Sequence, residues 1–335
     1  MLFEKTWNEN YGNGCSYADE LPNGDYLLIG GRIPTRSSNV VFDKGKFYAC
    51  RIDSVGNILW EKDWGNTQEP NFVRKILKCY DGNYLIVGQG VSEFGGGVSD
   101  ITATKIDADG NILFHNYYDF LYEDLSTDVF QTADSCFIIS GTRGTPTTYS
   151  PVFIKIDFYG NEICRRTQST LSQYSPMFIY QTPDSGFVCA GIATAYRNSY
   201  YAKYNSAGIM SWIEYPFGLN DTIGNRPSVL RSNPNGTFDI YYAVEPQSVP
   251  YVNGLFCHYT SVGNLLSSKS YYNSLWMFSV DKDDTSICAF SHGNAFYKMN
   301  YDSTFVKLVE LTGTDTIWKW TQACILTNDG GYLGV

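Results

Sequence analysis

One turn recurs seven times along this chain, and no other feature limits the possible folds as strongly. Its full form is Asp/Asn-Gly-x-aromatic ahead of an apolar run: Asn23-Gly24-Asp25-Tyr26, Asp81-Gly82-Asn83-Tyr84, Asn235-Gly236-Thr237-Phe238 and Asp329-Gly330-Gly331-Tyr332. Weaker copies are Asp134-Ser135-Cys136-Phe137, Asp184-Ser185-Gly186-Phe187 and Asp283-Asp284-Thr285-Ser286. Their second residues fall at 24, 82, 135, 185, 236, 284 and 330, a step of 46 to 58 residues. Gly, Asn and Asp supply the positive φ angles that tight hairpins need. Strand-like runs such as Tyr26-Leu27-Leu28-Ile29 and Tyr84-Leu85-Ile86-Val87 follow the turns.

A second turn closes each unit, in the form Lys/Arg-Ile-Asp-x-x-Gly-Asn-Ile-Leu-Trp. It is clear at Arg51 to Asn57, Lys105 to Asn111 and Lys155 to Asn161; degenerate copies carry Gly208 and Gly263, and Ser303 replaces the glycine after Lys298-Met299-Asn300. Each unit therefore reads strand, tight turn, strand, long loop, strand, tight turn, strand. No segment sustains an apolar 3.6-residue period. Four antiparallel strands per repeat of about fifty residues predict an all-β fold, a seven-bladed β-propeller.

The ends fit a ring. Leu2-Phe3-Glu4-Lys5-Thr6-Trp7 matches Leu59-Trp60-Glu61-Lys62-Asp63-Trp64, so the N-terminal strand is expected to close the ring with the C-terminal blade and cover an open edge. Residues 1–335 then form one domain, with blades at about 14–65, 70–118, 124–167, 173–215, 226–272, 275–311, and 317–335 joined by 1–8. The last copy stops at Tyr332-Leu333-Gly334-Val335, which leaves its blade incomplete and suggests a piece of a longer chain.

Composition excludes some partners. A net charge of −10 with no basic run argues against nucleic acid, and no apolar stretch is long enough for a membrane helix. The nine cysteines show no C-x-x-C pair and read as buried thiols. Asp107-Ala108-Asp109-Gly110-Asn111 resembles the start of a calcium loop, but Tyr118 stands where the bidentate Glu belongs, so a hairpin turn is expected. His115, His258 and His292 fall in separate repeats without ligand spacing. No metal site, cofactor or catalytic residue is assigned. The Lys or Arg heading the second turn (Arg51, Lys105, Lys155, Lys203, Lys298) reads as architecture, its stem lying on the blade.

Loops after the second strand are long and varied, whereas the glycine turns at the opposite end are short. Rigid strands that present variable loops on one face suit a binding surface. Ligand-binding candidates there are Arg32, Arg143, His292, Arg197, Tyr196 and Tyr251, since Arg and aromatics are enriched at interaction hot spots. Arg32, Arg143 and His292 share one repeat position and should stand at one height, near the mouth of a central channel. They read either as an anion subsite or as partners of loop carboxylates such as Asp43, Glu93 or Asp100.

The unit resembles the propeller repeats of secreted and surface bacterial proteins associated with type IX secretion, and more distantly the delta-60 and SBBP-type repeats. That resemblance implies a seven-bladed propeller at an extracellular or outer-surface location, and carries no catalytic residues to transfer. The leading functional reading is a non-enzymatic binding or scaffolding module, a monomer or part of a longer multidomain chain, that recognises protein or glycan through the loop face. Open beside it are a sialidase- or lyase-like glycan enzyme using Arg32 and Arg143, and a purely structural surface or virion domain.

Overall fold

The computed structural model describes residues 11–34, 45–65, 71–91, 99–120, 122–145, 148–193, 198–217, 224–233, 235–245 and 253–271, and shorter strands beyond them. Six four-stranded antiparallel sheets and one two-stranded sheet succeed one another, with no helix among the described residues. The first contains β1 (Tyr11–Glu20), β2 (Tyr26–Pro34), β3 (Lys46–Ile52) and β4 (Ile58–Trp64). The second contains β5 (Phe72–Lys78), β6 (Tyr84–Gly90), β7 (Asp100–Ile106) and β8 (Ile112–Tyr118). The third has β9 (Asp124–Gln131), β10 (Phe137–Gly144), β11 (Tyr149–Ile156) and β12 (Glu162–Thr167). In the fourth are β13 (Tyr174–Gln181), β14 (Phe187–Ala193), β15 (Asn198–Tyr204) and β16 (Met210–Glu214). The fifth comprises β17 (Gly224–Ser232), β18 (Phe238–Glu245), β19 (Asn253–Tyr259) and β20 (Leu265–Tyr271). Then come β21 (Trp276–Phe278), β22 (Ile287–Phe290), β23 (Ala295–Met299) and β24 (Phe305–Glu310), and the pair β25 (Cys324–Leu326) and β26 (Tyr332–Gly334). Strands follow chain order within every sheet. The first strand of each sheet touches the first strand of the next, from β1 through β21, and β25 lies against β1.

Middle strands are covered on both faces, which is why they read as continuous apolar runs. In β6, Tyr84 and Ile86 pack towards Leu27, Ile29 and Phe47 of the first sheet. Leu85 and Val87, on the other face, pack towards Val129, Phe137 and Ile139 of the third. The same alternation joins the fourth sheet to its neighbours, through Phe187, Cys189 and Tyr204 on one side and Val188, Ala190 and Tyr201 on the other. Each such side chain contributes about 1.5–3 kcal/mol by leaving water, so these interfaces hold the sheets together.

Ten turns of one design close the hairpins at one end of the first five sheets. Every first-to-second connection (21–25, 79–83, 132–136, 182–186, 233–237) and third-to-fourth connection (53–57, 107–111, 157–161, 205–209, 260–264) has five residues. In all ten, the first N–H donates to the fifth carbonyl and the fourth N–H to the first carbonyl. The fourth residue always has positive φ, being glycine in eight turns and Ser135 or Ser185 in the other two. This is the left-handed region where a Cβ is costly.

These turns also dock the next sheet. A Cβ on Gly110 would lie 2.7 Å from the Trp60 ring of the preceding sheet, and one on Gly263 would lie 2.9 Å from Trp212. Phe114 covers Gly160 in the same way. At the remaining junction the equivalent residue is Cys164, and the Arg166 stem lies against Gly208 instead. The aromatic that ends the Ile-Leu-Trp motif is thus a lid for its neighbour's turn. By contrast, the Ile-Leu pair before it is largely solvent-facing, with Ile58, Leu59, Ile112 and Leu113 between 41% and 53% exposed.

Strands run further than the turn pattern suggests. Pairing continues to Tyr11↔Pro34 in the first sheet and to Gly144↔Tyr149 in the third. Arg32 and Arg143 are therefore strand residues, not loop residues, because hairpin hydrogen bonding carries the sheet past them. Residues 1–10, and with them the expected ring-closing N-terminal strand, lie outside the described residues.

Candidate functional site

The end opposite the turns carries the second-to-third connections. They span 35–45, 91–99, 145–148, 194–197 and 246–252 in the first five sheets, from four to eleven residues. Of the sequence candidates, Arg32 and Arg143 lie on this end; Tyr196, Arg197, Tyr251 and His292 lie outside the described residues, as do Asp43 and Glu93.

Arg32 ends up inside a polar cluster on the face of the first sheet turned away from the second. Its Nη2 donates to Glu61 Oε2 at 2.6 Å, Nη1 is 3.5 Å from Asp63 Oδ2, and the guanidinium stacks 4.1 Å from the Tyr48 ring centroid. The Tyr48 hydroxyl donates to the same Glu61 oxygen at 3.0 Å, and Lys46 pairs with Asp63 at 2.9 Å. Only 9% of Arg32 is exposed. Its carboxylate partners come from β4, two strands away.

Arg143 stands opposite Asp124 in the β9–β10 register and opposite Ser150 in the β10–β11 register. Asp124 opens β9 where the chain crosses from the second sheet to the third. Its N–H donates to Ser99 O at 2.7 Å, and its Oδ2 accepts the Phe120 N–H at 2.8 Å. The Asp124 side chain is buried, and its Oδ1 has no hydrogen-bond donor among the described residues. Burial pushes the Asp124 carboxyl up to about 7, opposed by the Phe120 N–H and Arg143 and reinforced by Asp100 and Asp119. Those two aspartates and Asp124 bring carboxylate oxygens within 4.8 Å of one another. Asp100, at the head of β7, is buried, and Asp119, just after β8, is exposed. Arg165 donates to the Asp119 carbonyl at 2.6 Å and lies 4.3 Å from the Phe120 ring centroid. No spacing in the sequence marks this cluster, because its members sit on three separate elements of one crossing.

Charges at the turn end are differently disposed. Arg51 binds Asp25, Lys105 binds Asp81, Lys155 binds Asp134 and Lys203 binds Asp184, all between 2.7 and 2.9 Å. Each cation heading the second turn thus clamps a carboxylate of the first turn in its own sheet. The Lys155 hydrogen bond, with the Thr132 hydroxyl, holds the Asp134 carboxyl down at about 2. At Asp184 burial opposes ionisation, but the Thr182 hydroxyl and Lys203 outweigh it and bring the carboxyl to about 2. Asp107 accepts from the Asp109 and Asn111 backbone N–H groups and from the Asn111 side chain, so the calcium-like motif consumes its own oxygens in a turn.

The two described histidines are hydrogen-bonded, and four of the seven described cysteines are buried, with Cys15, Cys136 and Cys164 partly exposed. His115 Nδ1 lies 2.7 Å from Thr104 Oγ1, and burial pushes its imidazole down in pKa. His258 Nδ1 lies 2.5 Å from Asp239 Oδ1, whose other oxygen takes Arg231 at 2.9 Å. The seven described cysteines are thiols. Burial pushes Cys15, Cys79 and Cys189 up to about 12, far from thiolate chemistry at neutral pH.

No protein-family model and no curated protein matches this chain. Solved structures do resemble it. Prolyl oligopeptidase B from Galerina marginata aligns with 96% of the chain at TM-score 0.53 and 10% identity, and the chain spans 46% of that protein's length. A polysaccharide lyase, the PL25 ulvan lyase, aligns with 89% of the chain and 84% of its own at TM-score 0.52 and 8% identity. The apocarotenoid oxygenase of Synechocystis gives TM-score 0.51 at 8% identity, covering 89% of this chain and 80% of the other. At such identities the likeness is one of fold, and the fold is all-β and propeller-like.

Proposed function

We propose that this chain is a seven-bladed propeller that works as a non-enzymatic binding or scaffolding module at an extracellular or outer surface. Protein or glycan partners would dock on the end that carries the second-to-third connections. One observation carries this reading. Ten turns at one end keep five residues and one hydrogen-bond pattern, while the opposite connections range from four to eleven residues on the same scaffold. Variation confined to one end of a rigid frame is where recognition is usually built. Contact between β25 and β1 supports a ring that closes through the last and first sheets.

An enzyme built on Arg32 and Arg143 finds less support. Arg32 is neutralised by Glu61 and Asp63, and Arg143 faces the Asp100–Asp119–Asp124 cluster. A glycan array probed with the chain, and with a variant whose residues 92–98 and 246–252 are cut to two residues each, tests the binding reading. Array binding that vanishes in the variant, with the fold retained, supports it. Release of unsaturated or reducing products from a polysaccharide panel, lost on substituting Arg32 or Arg143, would put the glycan-enzyme reading in its place.

A further inference from the structure

We propose that Asp100, Asp119 and Asp124 form a divalent-cation site of calcium size that ties the second sheet to the third at the connection end. Three carboxylates drawn from the head of one strand, the end of another and the head of the next converge within 4.8 Å. Oxygens bound to one ion can lie no further apart than twice the metal–oxygen distance, roughly 4.6–5.2 Å for Ca²⁺. Pairwise spacings inside that limit meet the distance condition that a calcium-sized ion sets on its ligands.

A second observation points to a ligand. Asp124 is 0% exposed, yet its Oδ1 has no donor among the described residues. Leaving a buried carboxylate oxygen unsatisfied is costly, and a buried charge of this kind is normally paired or bound to metal. Its Oδ2 is already fixed by the Phe120 N–H, so the carboxylate is held in place with one oxygen to spare. The nearby cations are otherwise engaged or outnumbered. Arg165 donates from Nε to Glu162 at 2.6 Å and also faces Asp119 and Asp124, and Arg143 faces Asp124, so two arginines stand against four carboxylates. Asp119 is exposed and opens the site to solvent, where an ion can enter and keep waters that complete its shell.

The site lies where the chain passes between sheets. A cation there would bridge Asp100 in the second sheet, Asp119 in the crossing and Asp124 in the third. Its energetic effect should appear as stability of that junction.

The experiment uses the full chain stripped with chelator, titrated with Ca²⁺ by calorimetry and with Tb³⁺ by sensitised luminescence, with thermal unfolding followed in parallel. Expected are saturable single-site binding and a Ca²⁺-dependent rise in melting temperature. Both should be lost or weakened at least about tenfold in Asp124→Asn and in Asp119→Ala. Asp119 is exposed, so its variant keeps the test decisive even where Asp124→Asn folds poorly. Absence of saturable binding up to millimolar Ca²⁺ overturns the proposal. So does binding that neither substitution weakens, since the ion would then sit elsewhere.

Discussion

The two ends of this molecule treat the same residue type in opposite ways. At the turn end, Asp81, Asp107, Asp134, Asp157 and Asp184 all have carboxyls held below the usual range, by backbone N–H groups, hydroxyls, an Asn side chain or a lysine. At the connection end, burial and like charge push Asp124 up to about 7. Turn aspartates are satisfied locally, by residues within two to four positions or by a lysine on the same sheet. Asp124 is caught where two sheets meet, with Asp100 and Asp119 beside it and Arg143 opposite. Satisfied polar groups specify a structure, whereas a carboxyl pushed this far from its ordinary range is a candidate for a functional role.

The largest expected effect comes from breaking the turn end. Gly110→Val places a β-branched residue at φ +70° and drives its Cβ into the Trp60 ring. The backbone conformation alone costs about 1–2 kcal/mol, and overpacking against a neighbouring sheet adds about 1–3 kcal/mol. A loss of roughly 2–5 kcal/mol should appear as a lower urea midpoint. Trimming Trp60 to Ala in the same background should recover part of it by making room. An unchanged midpoint would mean that these turns do not dock the sheets.

Next in size is the pH response, which should have opposite signs at the two ends. Asp134 and Asp184 titrate at about 2 in the folded chain, below the ordinary value of 3.8, so their contribution is intact above that value and fades as pH falls through about 2. Asp124 runs the other way. Its folded value lies above the ordinary 3.8, so stability is intact below that and is lost as pH rises through about 7. The groups facing it are Asp100, Asp119, Arg143 and Arg165. In calcium-free buffer, urea midpoints should therefore decline on both the acid and the neutral side. Lys155→Met with Lys203→Met should flatten the acid limb, and Asp124→Asn the neutral one. Two limbs unaffected by these substitutions would remove the electrostatic half of the contrast.

How much of this was legible beforehand follows from how far each interaction reaches along the chain. A five-residue turn with one left-handed residue is a local constraint, so Asn23-Gly24 and Asp81-Gly82 announce it without tertiary help. Ser135 and Ser185 looked weaker and adopt the same geometry, since the flanking strands impose it. The shared repeat position of Arg32 and Arg143 is a matter of counting, and both do sit near the far end of a second strand. Their partners were not legible. Glu61 reaches Arg32 across β3, and Asp124 faces Arg143 from the preceding strand, with no spacing rule linking either pair. The Asp100–Asp119–Asp124 cluster was least visible, because it exists only once two sheets are stacked and recurs in no other described sheet.

A smaller effect tests the connection end. Replacing residues 92–98 by two residues leaves Val91, which is buried, and Ser99, whose carbonyl accepts the Asp124 N–H. Halving a loop changes closure entropy by only about 0.6 kcal/mol, so stability should move by less than about 1 kcal/mol while any partner bound by that connection is lost. Measured together, the unfolding midpoint and the array signal separate a recognition loop from a structural one. A destabilisation as large as that of Gly110→Val would show that both ends are architecture.

The smallest effect probes the two turns that depart from the rule. Ser135 and Ser185 hold φ of 63° and 65° where eight sister turns have glycine. A side chain there costs about 1–2 kcal/mol in the folded state, and glycine gives back about 0.5–1 kcal/mol through the entropy of the unfolded chain. Ser135→Gly and Ser185→Gly should each stabilise by about 0.5 kcal/mol, and together by about 1 kcal/mol, because they lie in turns of separate sheets. Ser135→Ala, which keeps the Cβ, should gain nothing. That pair of substitutions isolates the backbone from the ion pairs beside it, since Lys155–Asp134 and Lys203–Asp184 survive in both glycine variants. If the gain fails to appear, the uniformity of the ten turns is not a matter of left-handed backbone preference, and the contrast between the two ends reduces to their carboxylates.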